Sequence, residues 1–407
     1  MILETKVKQN KKKKKWVLPR HKAIVVLAKP VVKLMVYLKY GLWVKPDKTF
    51  ADRQYLIIMN HQTAYDQFFV SMVFNKPVYY IASEDLFSMG LLSRLLRWAV
   101  APIPIKKQTT DVQAVMNCLK VAREGGTIAL APEGNRTFSG LPVHMNPAII
   151  PLIKKLGLPL AIFRIEGGFG VHPRWSDVCR KGPMKTYVSR VIEPEEYKSL
   201  SKEELFQLIQ QEMYVDERVT GGEYPHKESA QYLERAMYVC PSCGLSEFES
   251  QGDTIRCKKC GLGAQYLPNK QLKGVGGSFP YLYLADWYQH QFDYVNQFDT
   301  LAHLSEAIYT DTVQLSRVKP YSHKEVLLKD AELKLYGDRL EVGELTLPHS
   351  STSVITVLGK NKLNIYHDGT IYQIQGDKRF NALKYMNLFY RHQNQVTGDE
   401  HNEFLGI

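Results

Sequence analysis

The chain has 407 residues, 44% of them hydrophobic and 23% charged, which suits two or three globular domains and excludes a wholly disordered chain. Its formal net charge of +12 is weighted to one end, where Lys6, Lys8, Lys11 to Lys15 and Arg20 crowd together. Six cysteines in a chain of this size do not make a disulfide framework, and four of them have metal-site spacing, so a reducing, cytoplasmic setting is expected.

Residues 1–20 are lysine-rich and lack an apolar period, the composition of a disordered basic arm. Residues 21–45 are rich in Val, Leu, Ile and Tyr, but Lys22, Lys29 and Lys33 break every run short of the roughly 18 residues that a membrane span needs. On a helix these lysines fall within about 40° of one another and leave the rest apolar. The pattern predicts amphipathic helices lying in a membrane interface, with Pro30 kinking or dividing them; burial in the protein's own core is the alternative. Next to an anionic leaflet each lysine of the arm adds roughly 1 kcal/mol of attraction. The apolar part has no small-residue cleavage pattern of a signal peptide.

An α/β domain is predicted over residues 46–220. Tyr55 to Met59 reads as a short buried strand that runs straight into Asn60-His61-Gln62-Thr63-Ala64-Tyr65-Asp66. On one helix His61 and Asp66 would point about 140° apart, so the chain must turn at His61 and let Asp66 reach back from the first turn of a following helix. The carboxylate then holds one ring nitrogen and leaves the other as a general base. By itself the spacing also fits a capped helix with an incidental histidine.

Further strands are expected at Val78 to Ala82, Thr127 to Leu130, Leu160 to Ile165 and Tyr187 to Ile192. Helices are expected at 66–74, 86–99, 109–124, 146–156 and 202–214. The apolar helix around Leu91, Leu92, Leu95, Leu96 and Trp98 suits core packing or one wall of an acyl-chain groove. In the 109–124 helix Val112, Val115, Met116, Leu119 and Val121 are expected to face inward, and Cys118 to pack in the core. His144 and His172 lie in predicted loops and are assigned to the surface.

The strand at Thr127 to Leu130 stops at Pro132 and opens into Glu133-Gly134-Asn135-Arg136-Thr137. Two strands thus end in polar clusters, and in open α/β sheets the carboxyl ends of strands wall the ligand crevice. Arg136 offers a fork of donors suited to phosphate, and Gly134 permits close backbone approach.

The pairing of Asn-His-x4-Asp with Glu-Gly-Asn-Arg-Thr resembles the 1-acylglycerol-3-phosphate acyltransferase (lysophosphatidic acid acyltransferase) family, whose signature is His-x4-Asp plus Glu-Gly-Thr-Arg-Ser. The resemblance covers roughly residues 20–215. It implies a glycerolipid acyltransferase-type α/β fold, His61 and Asp66 as catalytic residues, and Asn60, Lys107, Glu133, Gly134, Asn135 and Arg136 at the substrate. It also implies an acyl-CoA or acyl-carrier-protein donor and a lysophospholipid acceptor. The chain departs from the family at Lys107, where an arginine is usual and where a solvated lysine pair with Lys106 is the alternative, and at Ile162, where a second proline would follow Pro159.

Cys240-Pro241-Ser242-Cys243-Gly244 and Cys257-Lys258-Lys259-Cys260-Gly261 lie thirteen residues apart. Two Cys-x2-Cys knuckles place four thiolates at the corners of a tetrahedron, and a glycine after each pair permits the tight turn, so residues 235–268 are read as a ribbon around one structural Zn2+. Arg256, Lys258 and Lys259 are too few for a nucleic-acid site, and no nucleic-acid partner is expected. Residues 280–300 suit an aromatic connecting helix. Residues 320–393 show short alternating runs, turn pairs and a closing helix at 381–391, a pattern resembling a small pleckstrin-homology-like barrel. The expected protein is thus a cytoplasmic acyltransferase, peripheral on the inner face of an anionic membrane, its chemistry otherwise metal-free. The rival is a non-catalytic membrane adaptor acting through the ribbon and barrel.

Overall fold

The computed structural model describes residues 15–50, 53–83, 86–87, 90–105, 111–319 and 324–398. Residues 1–14 of the basic arm and Lys107 lie outside these residues, whereas the end of the arm is ordered: the amides of Trp16 and Val17 donate to Glu124, and Pro19 and Arg20 open the first helix.

The first unit is an α/β sheet covered on both faces. Its elements are α1 (Pro19–Tyr40), β1 (Leu56–Met59), α2 (Asp66–Val73), β2 (Val78–Ser83), α3 (Leu91–Ala99), β3 (Ile103–Ile105), α4 (Val112–Arg123), β4 (Thr127–Leu130), α5 (Ile149–Leu156), β5 (Leu160–Glu166), α6 (Gly168–Val171), β6 (Lys185–Ile192), α7 (Pro194–Lys198) and α8 (Lys202–Met213). The strands run in the order β3-β2-β4-β1-β5-β6, all parallel except β6, which is antiparallel to β5. β1 is central, and all four of its residues are buried. Strand alternation sends Ile57 and Met59 toward α1 and α2, and Leu56 and Ile58 toward α4, α5 and α8. Ile162, where the family's second proline would stand, is buried in β5 opposite Ile58.

Several expectations change on packing. Pro30 neither kinks α1 into pieces nor ends it, since a single helix runs through it with Pro30 on the exposed side. Of the lysines on α1, Lys29 turns back to Phe74 O and Asn75 Oδ1, at 3.4 and 3.3 Å, and Lys33 sits over the Trp43 ring. Much of what α1 presents outward is apolar: Val26, Leu27, Val31, Leu34 and Leu38 are exposed, with Arg20 and Lys22 exposed at its start. Core packing is also wrong for α3, where Leu91, Leu92, Leu95 and Trp98 are exposed and only Ser93 is buried. In α4 the buried stripe is Ala114, Asn117, Cys118, Leu119 and Val121, while Val112 and Met116 face out; a wide apolar arc on the sequence fits two rotations, and the sheet selects one.

The cysteine region forms the hairpin β7 (Val239–Cys240) and β8 (Gly244–Leu245), then an antiparallel sheet of β9 (Phe248–Gln251), β10 (Thr254–Cys257), β11 (Gly263–Tyr266) and β12 (Leu272–Val275). It therefore extends past residue 268. Helix α9 (Leu284–Gln297) follows.

The last unit is a seven-stranded antiparallel sheet of β13 (Tyr309–Val318), β14 (Glu325–Leu335), β15 (Arg339–Val342), β16 (Leu345–Pro348), β17 (Thr352–Leu358), β18 (Lys362–His367) and β19 (Thr370–Gln375), with α10 (Ala382–Thr397) against it. The predicted closed barrel is not present among the described residues: the order β16-β15-β14-β13-β19-β18-β17 leaves β16 and β17 as unjoined edges. Pro348 and Thr352 are four residues apart, at most roughly 14 Å of chain, so the sheet curls until its edges share a corner. There buried His349 packs on Phe389 and His392 of α10. The central strand β13 was not anticipated, because Thr310, Asp311, Thr312 and Gln314 hide its alternation.

The units share one core. Phe138, Phe169 and Trp175 of the first unit cluster with buried residues of the ribbon, α9, the last sheet and α10. Trp175 is completely buried, so Trp175→Ala is expected to cost about 3–5 kcal/mol. Urea unfolding followed by circular dichroism measures this, and a loss under about 1 kcal/mol would show that the units are not joined through this side chain.

Candidate active site

β1 and β4 are adjacent and parallel, with Ile58 opposite Leu130, so the loops after them open on the same edge of the sheet. The Thr137 amide donates to the His61 carbonyl at 3.1 Å and ties one motif to the other.

His61 Nδ1 and Asp66 Oδ2 are 2.7 Å apart. Asp66 is fully buried and accepts from the Gln62 amide at 2.8 Å, the Thr63 amide at 3.0 Å and the Thr63 hydroxyl at 2.7 Å. An acceptor so surrounded has no freedom to rotate, and it requires a proton on Nδ1 of His61. Nε2 is then left as the basic nitrogen of a ring about a quarter exposed. The strand-turn-helix geometry expected for these two residues is present.

His61 lines a small cleft together with Asn60, Gln62, Glu133, Thr137, Gly140, Leu141, Pro142 and Val215. Glu133 is buried there, and burial pushes its carboxyl up to about 8, with the Asp66 charge adding and the amides of Val143 and His61 opposing. At neutral pH it is mostly a neutral acid beside the imidazole. Gly134 has φ +66°, a backbone that only glycine adopts cheaply, and this turn carries the chain from Glu133 to Asn135.

The other candidates separate. The Asn60 amide donates to Ile165 O at 2.9 Å and accepts from Ile165 N at 2.8 Å, so its polar atoms clip β1 to β5. Asn135 turns toward Arg174. Arg136 is buried, does not line the cleft, and leaves Nη1 without a partner. His172, assigned to the surface, is buried: its Nδ1 lies 3.1 Å from the Tyr40 hydroxyl. Burial, with the charges of Lys360, Arg136, Lys39 and Arg180 adding to it, drives its pKa down to about 3. His144 is half-buried. Sequence reasoning passed over Gln62, Thr63 and Thr137. Thr63 had a signal, a hydroxyl three residues before the acid that it supports, whereas Gly140 and Val215 enter only through tertiary packing.

The four cysteine sulfurs lie within 4.8 Å of one another. Cys240 and Cys260 are 3.5 Å apart and Cys243 and Cys257 3.6 Å, close to the roughly 3.8 Å edge of a tetrahedron with metal–sulfur bonds of about 2.3 Å. The Ser242 amide points at Cys240 Sγ, and Gly244 and Gly261 take φ +75° and +78°. The donor set fits a metal ion.

A mainly parallel sheet with a histidine–aspartate pair at the carboxyl end of its central strand defines an α/β protein equipped for general-base chemistry. Residues 43–163 match the family model Acyltransferase. The match ends before the cysteine region and the last sheet. Among solved structures the chain is similar to the 1-acyl-sn-glycerophosphate (LPA) acyltransferase PlsC of Thermotoga maritima, at 19% identity and a TM-score of 0.39, covering 49% of this chain and 78% of that one. No curated protein matches the chain.

Glu133 has a consequence for pH. Below about 4.5 it is protonated in folded and unfolded chains alike; above that the unfolded chain releases the proton while the folded one keeps it up to about 8. Its contribution to stability therefore falls as pH climbs through this window, by on the order of a few kcal/mol. Denaturation of Glu133→Gln between pH 5 and 8.5 should show a flatter dependence than the parent; parallel curves would place the Glu133 carboxyl in the ordinary range.

Proposed function

We propose that the protein esterifies the free hydroxyl of a lysophospholipid, most simply 1-acylglycerol-3-phosphate, using an acyl thioester of coenzyme A or acyl-carrier protein. The observation that carries this reading is the His61–Asp66 pair at 2.7 Å beside neutral Glu133, within the stretch that matches the acyltransferase family. His61 Nε2 takes the hydroxyl proton as the acceptor oxygen attacks the thioester carbonyl, and the imidazolium returns it to the departing thiolate. No covalent enzyme intermediate is needed. Glu133, as a neutral acid, donates a hydrogen bond that orients the acceptor hydroxyl, and Arg136 and Lys107 hold its phosphate.

The outward faces of α1 and α3 support docking at a membrane surface. Leu27 and Leu38 are exposed on α1, Leu91 and Leu95 on α3, and Arg20 joins the helices by donating to the Trp98 carbonyl at 3.1 Å. Among the described residues no helix is long and apolar enough to cross a membrane. Such a face lying in the interface, with the basic arm on anionic head groups, brings the acceptor to the enzyme. The four cysteines hold structural zinc, with no position left for substrate.

His61→Ala should lower turnover of 1-acylglycerol-3-phosphate about 100-fold or more while the circular dichroism spectrum is kept. Near-normal transfer by that folded variant would eliminate the mechanism, and failure of the parent protein to acylate any of a panel of lysolipids would favour the adaptor. Elemental analysis should find one zinc per chain, and stripping it with a strong chelator should lower the melting temperature. A metal-free, equally stable protein would refute the zinc assignment.

A further inference from the structure

Three arginines beside the second motif are almost wholly buried, Arg136, Arg174 and Arg180, and among the described residues none makes an ion pair with a carboxylate. Arg180 gives its donors to the carbonyls of Gly170 and Ser229. Arg174 gives its donors to four neutral oxygens, and these span two units. Arg136 O at 2.9 Å and Asn135 Oδ1 at 3.3 Å belong to the motif loop, and Val357 O at 2.9 Å, near the end of β17, and Gly359 O at 2.8 Å, in the turn to β18, belong to the last sheet. Arg174 thus fastens the tip of that hairpin to the loop that carries Arg136. Among the described residues Arg136 itself makes no side-chain hydrogen bond, and its Nη1 is buried without a partner. A guanidinium left this way is costly unless an acceptor arrives.

The next residue of the hairpin is Lys360. Its ammonium donates to Asp177 at 2.8 Å and to the Ser176 carbonyl, and Asp177 is shared with Arg235, also at 2.8 Å. One carboxylate therefore serves two cations. Lys360 is near enough to Arg136 for the two charges to oppose each other, and the charges of both, with that of Lys39 from the last turn of α1, act on His172, while Asp66 supplies the opposite charge felt by Arg136. The seam gathers several positive charges, and the orphaned Nη1 of Arg136 points to an anion as its missing partner.

We propose that the β17–β18 hairpin completes a phosphate site at this seam, in which Lys360 joins Arg136 in holding the phosphate of the lysophospholipid acceptor. The proposal rests on the acceptor being phosphate-bearing, as above. It gives the C-terminal sheet a direct part in acceptor choice. The phosphate's oxygens take the free Nη1 of Arg136 and one proton of the Lys360 ammonium, which keeps Asp177 as its second partner.

The test uses the full chain and the variants Lys360→Met, Lys360→Arg and Asp177→Asn. Binding of inorganic phosphate is measured by calorimetry, and kinetics are measured with 1-acylglycerol-3-phosphate and with a 1-acylglycerol lacking phosphate. Lys360→Met should weaken phosphate binding and raise KM for the phosphate-bearing acceptor, each about tenfold, with kcat within about twofold and the neutral acceptor unaffected. Lys360→Arg should restore most of both, and Asp177→Asn should leave phosphate affinity intact or improve it. Equal losses in Lys360→Met and Asp177→Asn would reduce Lys360 to an ion-pair partner and overturn the proposal. So would a KM rise confined to the acyl donor, or a parent protein that binds no phosphate. Lys360-dependent phosphate binding by a protein that transfers no acyl group would uphold the site and refute the acyltransferase reading alone; normal transfer with no effect of Lys360→Met would do the reverse.

Discussion

The carboxylate of Asp66 is the constraint on which the site is built. It is fully buried, yet every contact that it makes is local: the amides of Gln62 and Thr63, the Thr63 hydroxyl, and the imidazole of His61. These groups converge because β1 ends at Met59 and α2 starts at Asp66, leaving six residues to fold into a turn around the acid. The turn in turn holds the histidine in one orientation and one tautomer. A freely rotating imidazole would have to be ordered at each turnover, whereas this one is ordered by folding.

The second constraint is placement. Parallel neighbours end on the same edge, so β4 delivers Glu133 to the same cleft as His61. The cleft is dry enough on the Glu133 side to keep that acid protonated while Asp66, close by, is surrounded by donors. Two carboxyl groups in one site are thereby given different tasks by their surroundings, one supporting the base and the other able to donate.

The loop after Glu133 belongs as much to the appended units as to the α/β unit. Phe138 and Trp175 enter the core shared with the ribbon and the last sheet, and Arg174 spans the seam with four hydrogen bonds. A buried pair, Glu217 and Lys270 at 3.3 Å, makes a second fastening, with Glu217 also accepting from the Gly167 amide. The ribbon and the C-terminal sheet are therefore packed into the wall of the second motif. This arrangement differs from a catalytic domain with independent modules on linkers.

The sequence by itself determined the parts that depend on short-range order. The strand at β1, the turn at His61, the helix starting at Asp66, the strand at β4 and the paired cysteine knuckles were all legible, because apolar runs, turn residues and ligand spacing act within a few residues of one another. Tertiary structure alone decided which faces are buried. It turned the leucines of α3 outward and His172 inward, and it took Arg136 out of the cleft that holds His61. It also left the last sheet open at the β16–β17 corner, where α10 lies. Periodicity records that a face is apolar, but what covers that face is supplied by elements hundreds of residues away, and a charge such as Lys360 gains its neighbours only once the chain has closed upon itself.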